Sequence, residues 1–243
     1  MFPMRRSDTT LLAAMLLGAF ALVGSAAPAA APEADTTRAV TVAEGRIGDE
    51  VPPRDVAAIR RVIRSRENGT YIAEMLASRD SALARWPERD GEPVRVWVAS
   101  APDISFWTPE HTTQARKAFE EWNAVGLPVR FAFVEDSAAA EVHVVWTEQF
   151  KEPISGRTRW ARNSDWWITD GVITLAVHHH QGLLLDPEAI RAMALHEIGH
   201  LIGLDHTEDL GSVMARRVRV RDIAPVDVAT AELLYSVPAG RLR

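Results

Sequence analysis

The stretch "ALHEIGHLIGLDH", Ala194 to His206, gathers three of the chain's eight histidines into one short run. Positions four apart on an α-helix lie one turn apart on the same face, so His196 and His200 can aim two imidazoles at a single point. Gly203 can take the left-handed conformation that ends a helix and turns the chain back. His206, three residues further on, can then reach the same point. Three imidazoles with one position left open for water form the ligand set of a catalytic zinc. Glu197, beside the first histidine, is placed to take the proton of the zinc-bound water and to hand it to a leaving amine. The pattern HExxHxxGxxH fixes five residues, three of them histidine, which makes an accidental match rare.

Around this motif, "PEAIRAMALHEIGHLIG" reads as a helix that begins after Asp186, with Pro187 in its first turn. Upstream, "VRVWVAS" (Val94 to Ser100), "VRFAFVE" and "EVHVVWT" have the alternation and β-branched content of strands, and "VITLAVH" is a fourth. "TPEHTTQARKAFEEWNAVG" is a helix punctuated by Thr108, Pro109 and Gly126, with Ala115, Ala118, Phe119 and Trp122 on one face. Helical spacing also predicts helices from Arg54 to Arg66 and from Thr70 to Arg85. "DVATAELLY" is the last helix. The polar run "EQFKEPISGRTRWARNSDWWITDG" reads as a long connection. The order is that of one mixed α/β domain from about residue 93 to 243, preceded by a linker and helical segment over 31–92 that is a possible propeptide. His143 lies on the polar side of its strand and is expected to be structural.

The HExxHxxGxxH pattern followed by "GSVMA" resembles the signature of the metzincin zinc peptidases, in which a Met-turn follows the third histidine. Within that clan the chain is most similar to the matrixins, through "ARKAFEEWN", "AEVHVVW" and "DVATAELLY" in the same order. The resemblance runs from about Val94 to Tyr235. It implies an α/β (α+β) metzincin-like zincin domain: a twisted mixed sheet, an active-site helix and a C-terminal helix. It implies that His196, His200 and His206 hold one catalytic zinc, that Glu197 is the general base, and that Met214 lies beneath the metal. Asp227 occupies the position of a buried aspartate bonded to the Met-turn backbone. The strand Val172 to Val177 would be the sheet edge that pairs with substrate.

The chain also departs from that pattern. Thr207 and Ala215 replace residues common in matrixins, and Val226 stands where an aspartate often receives the mature N-terminal ammonium. The loop from Glu148 to Asp170 has no histidine, so a structural zinc site is not supported, and calcium is left open. "HHH" at His178 to His180 reads as a solvated strand end, because neighbouring strand residues point to opposite faces. The arginines of "ARRVRVRD" read as an exposed face, with selection of acidic substrate side chains as the alternative.

At 243 residues, 47% hydrophobic and 25% charged, the composition is that of a globular protein able to bury its own core. A formal charge of −6 with no basic run argues against a nucleic-acid partner. The absence of cysteine excludes a disulfide framework, a cysteine latency switch and a lipidated cysteine. Arg5 and Arg6, the apolar run "LLAAMLLGAFALVG" and "SAAPAAAP" form the layout of a signal peptide over residues 1–30, cut between Ala26 and Ala31. An exported protein, periplasmic or extracellular, without membrane association after signal removal is expected. The function expected is a zinc endopeptidase acting on peptides or proteins. The alternative is a zinc-containing, non-proteolytic peptide-binding homologue of the cell envelope; the intact Glu197 favours the peptidase.

Overall fold

The computed structural model describes residues 55–243. The signal peptide and the start of the linker, as read from the sequence, lie outside them. Strands β2 (Val94–Val98), β3 (Phe131–Phe133), β4 (Val142–Thr147), β5 (Gly156–Arg162) and β6 (Ile168–Ala176) form one mixed sheet in the order β3-β2-β4-β6-β5. The first four in that order run parallel, and β5 runs antiparallel to β6. Alternation sets the two faces: Val94, Val96 and Val98 are buried while Arg95 is exposed, and Val142, Val144 and Trp146 are buried around a half-buried His143. His143 is structural in its contacts: its Nε2 lies 3.0 Å from the Ser137 carbonyl.

Two helices cover the inner face. α3 (Pro109–Ala124) packs on β2 and β3, α4 (Pro187–Leu201) packs on β5 and β6, and the two helices pack on each other. Thr108 and His111 form a reciprocal cap at the start of α3, and the Asp186 carboxylate accepts from the Ala189 N–H at the start of α4. From Ala192 to Leu201 every residue of α4 except His200 is buried. The second half of α4 is buried on nearly all sides, and the indole of Trp122 on α3 donates to the Leu195 carbonyl at 2.9 Å to complete its surroundings.

Before the sheet lie α1 (Val56–Arg66), α2 (Ile72–Ser78) and β1 (Ala82–Leu83), which pairs with β7 (Gly240–Arg241) after α5 (Pro225–Tyr235). The helix expected from Thr70 to Arg85 is shorter because Asp80 and Ser81 take positive φ, at 53° and 59°, and break it. Ile72, Met75, Leu83 and Trp86 from this region are fully buried in the same hydrophobic cluster as β2, α3 and α4. Each such aliphatic side chain contributes ~1.5–3 kcal/mol by leaving water.

The sheet edge is not where the sequence placed it. β6, including Val172 to Ala176, is paired on both sides, by β4 and by β5. The edge is β5, inside the run read as a connection. An edge strand with one solvent-facing side and sequence "GRTRWAR" lacks the apolar alternation that marks a half-buried strand. Ser155 accepts from Ala176 N–H, and Gly171 N–H points away to Glu141 on the β4 side. In an antiparallel ladder the pairs alternate, so Gly156, Thr158 and Trp160 present their N–H and C=O groups to the open side.

Candidate metal centre

α4 carries His196 and His200 one turn apart, and its end sets the third histidine. Gly203 has φ +107°, and a Cβ there would lie 2.1 Å from the Ala84 carbonyl oxygen, so only glycine fits this turn. The chain reverses and returns His206. The ring nitrogens of the three histidines all lie within 4.8 Å of one another. His200 Nε2 is 3.2 Å from His196 Nε2 and 3.3 Å from His206 Nε2. Nitrogens at two corners of a tetrahedron with metal bonds of ~2.0–2.1 Å stand roughly 3.3–3.4 Å apart, so the spacing fits zinc.

The outer nitrogens settle the tautomers. His196 Nδ1 donates to the Val213 carbonyl at 2.7 Å and His200 Nδ1 to the Leu204 carbonyl at 3.1 Å. That leaves both Nε2 lone pairs facing inward, as ligation requires. Burial lowers the pKa of His196 to about 4 and of His200 to about 3, and it also lowers that of His206. Three neutral imidazoles with lone pairs turned on one another are repulsive alone and become cooperative around a cation.

Glu197 is buried on α4, and burial raises its carboxyl to about 7 against the opposing hydrogen bond from Thr158. The Thr158 hydroxyl lies 2.7 Å from Glu197 Oε2. Gly156 comes closer still: a Cβ there would meet Glu197 Oε1 at 2.4 Å. The edge strand therefore passes directly over the carboxylate. Neither residue was found from the sequence, since each sits in a polar run some forty residues from the motif with no pattern of its own.

Beneath the histidines lies the methionine turn. Met214 is fully buried, and its sulfur packs so tightly under α4 that a Cβ at Gly199 would stand 2.2 Å from Sδ. Asp227, at the start of α5, holds this turn in place. Its buried carboxylate accepts from the Ser212 hydroxyl, from Val213 N–H at 3.0 Å, from Ala224 N–H at 2.9 Å and from the Tyr71 hydroxyl at 3.3 Å. The Arg79 guanidinium donates to the Gly203 and Leu204 carbonyls at 2.8 and 2.9 Å, and its Nε lies 3.1 Å from Asp205. α2 and the residue after it thus brace both sides of the histidine turn.

The three consecutive histidines do not join this site as ligands. Among the described residues the only cluster of metal-binding side chains is His196, His200 and His206. His178 to His180 are half-buried rather than fully solvated, in a tight turn where His179 N–H donates to Leu183 O. His179 and His180 instead line a cleft of about 680 Å³ that opens beside His196 and Glu197.

A mixed sheet with one antiparallel edge, a histidine-bearing helix and turn, and a buried methionine turn define a metzincin-type protein. The family model described as Matrixin matches residues 97–236, more than half of the sequence, and the chain belongs to the matrixin family. It is 25% identical over 179 residues to Metalloendoproteinase 1-MMP of Arabidopsis thaliana, a match covering 65% of this chain and 46% of that protein. The chain thus spans about half the length of that relative. It also aligns with the crystal structure of myroilysin at a TM-score of 0.44 and 12% identity, over 63% of this chain and 86% of that one.

Proposed function

We propose that this protein is an exported zinc endopeptidase in which His196, His200 and His206 hold the metal and Glu197 is the general base. The observation that carries the reading is the convergence of three inward-facing Nε2 atoms next to a buried carboxylate. Membership of the matrixin family supports it. Zinc bound there would make the water nucleophile more acidic and draw charge from the scissile carbonyl. The chain's own part is positional. Glu197, held by Thr158, accepts the proton of the attacking water and returns it to the departing amine. The open side of β5 receives the peptide as an added strand, through Gly156, Thr158 and Trp160, which lays the backbone across Glu197.

The layout at the N-terminus supports export. Residues 55–92 are proposed to stay with the mature enzyme, because Arg79 bonds the histidine-bearing turn and Tyr71 bonds Asp227, which holds the methionine turn.

The test is incubation of purified protein with a diverse peptide mixture, with and without a zinc chelator, followed by mass spectrometry. Cleavage products should appear only in the metal-loaded sample. Glu197→Gln keeps the size and burial of the side chain but removes the carboxylate, so it should retain zinc and lose ~100- to 10,000-fold in turnover. Undiminished cleavage by the zinc-loaded variant would show that another residue is the base. Peptide binding without any turnover by the wild-type protein would favour the non-proteolytic reading.

A further inference from the structure

The cleft beside His196 and Glu197 holds more positive charge than peptide hydrolysis requires. Arg216, Arg217, Arg219 and Arg221 all line it, and Glu197 is the only carboxylate in its wall. Arg216 leans toward Glu208, and Arg221 toward Asp186 and Glu188. Arg217 and Arg219 have no carboxylate partner among the described residues. Burial along the segment alternates: Val218 and Val220 are half-buried against the core, while Arg217 and Arg219 are exposed. The valines anchor the segment, and Arg217 and Arg219 line the cleft beside them.

Bulk charge does not explain this concentration, since the chain as a whole carries −6. Like charges gathered in a concave site repel one another and raise the local potential, and an anion entering the cleft relieves both. Guanidinium groups are planar forks that match a carboxylate with two parallel hydrogen bonds.

We infer that the protein selects peptides with an acidic side chain close to the scissile bond, and that Arg217 and Arg219 hold that carboxylate. This specificity rests on the peptidase reading above. It turns an arginine run that looks like a solvated surface into the recognition wall of the site.

The experiment uses peptides acetylated and amidated at their ends, so that side chains supply the only carboxylates. A cleaved peptide is remade with Glu, Gln or Lys in turn at each position flanking the cut. At one position Glu should raise kcat/KM on the order of tenfold over Gln, the size of one charge-assisted contact, with Lys lower still. The preference should shrink as salt is added, because exposed charges are screened over ~10 Å at 0.1 M. The double variant Arg217→Glu, Arg219→Glu should turn the preference toward Lys. The variant Arg64→Glu, Arg66→Glu on α1 alters net charge equally and should keep the wild-type ratio. A Glu-to-Gln ratio near one at every position, or a ratio unmoved by the Arg217 and Arg219 changes, overturns the inference. Binding of the same peptides to the Glu197→Gln protein, followed by fluorescence anisotropy, reads the arginines without turnover. If zinc-loaded wild type cleaves nothing, the peptidase reading falls. Tighter binding of Glu peptides that disappears in the double variant would still sustain the arginine site, and equal binding of Glu and Gln peptides would refute it.

Discussion

Around Glu197 the chain combines a residue with no side chain and one with a single hydroxyl. Gly156 leaves the space into which the carboxylate fits, and the Thr158 hydroxyl lies 2.7 Å from its Oε2 and 2.8 Å from the Glu197 carbonyl, sharing one proton between them. A buried carboxyl with one donor is held in one orientation; without that donor it can rotate away from the nucleophile. Thr158→Val keeps the shape of the side chain and its backbone on the open edge while deleting the hydroxyl. It is expected to lower kcat about tenfold, the worth of one hydrogen bond to a charged group, with KM little changed. Thr158→Ser, which restores the donor, should recover most of the loss. Equal kcat for the valine variant and the wild type would mean that Glu197 is positioned by its helix alone. The histidines are legible without such support, because His196 and His200 lie one turn apart on α4 and Gly203 turns the chain back to His206.

Among the elements, α2 and the turn after α4 form the least expected partnership. Nothing in the helical pattern of residues 70–85 announces that the residue following α2 will reach the turn that carries His206. The structure places the Arg79 guanidinium on two carbonyls and one carboxylate of that turn, with only 16% of its side chain exposed. Removing one partner of a nearly buried charge pair leaves the other unpaired, a loss of ~3–5 kcal/mol. Arg79→Met should therefore lower the urea midpoint of unfolding and also weaken zinc retention against a competing chelator. A change in stability with unaltered metal affinity would reduce Arg79 to a packing role, and no change in either would remove the brace altogether. β5, by contrast, carries no strand pattern in its sequence. Its period is hidden because the strand lies at the sheet edge, where alternate positions meet the cleft or water rather than a core.

Across the whole molecule, the proposed metal site and the fold are coupled. The three histidines come from α4 and the following turn, and that turn is braced by Arg79 just after α2, while α5 holds the methionine turn below. Unfolding disperses these contacts, so zinc held there would stabilise the native state by mass action: ~4 kcal/mol when free metal is a thousandfold above Kd. For a chain of this length that corresponds to a fall in Tm on the order of 10 °C on chelation. Calorimetry with and without chelator measures it, and His206→Ala should melt at nearly the same temperature in both. A chelator-independent Tm in the wild-type protein would argue that the three histidines hold no metal. Local spacing in the chain is enough to read the histidine helix and the turn after it, the strands buried on one face, and the family. Each of these rests on local spacing: a four-residue step on a helix, a two-residue step on a strand, a glycine at a turn. Tertiary structure alone decided which strand is the edge, which residues touch Glu197, and that Tyr71 and Arg79 brace the site. It also decided that Arg217 and Arg219 face the cleft. Those are contacts between distant segments, and a one-dimensional pattern carries no record of them because hydrogen bonds and ion pairs are chosen by position in space.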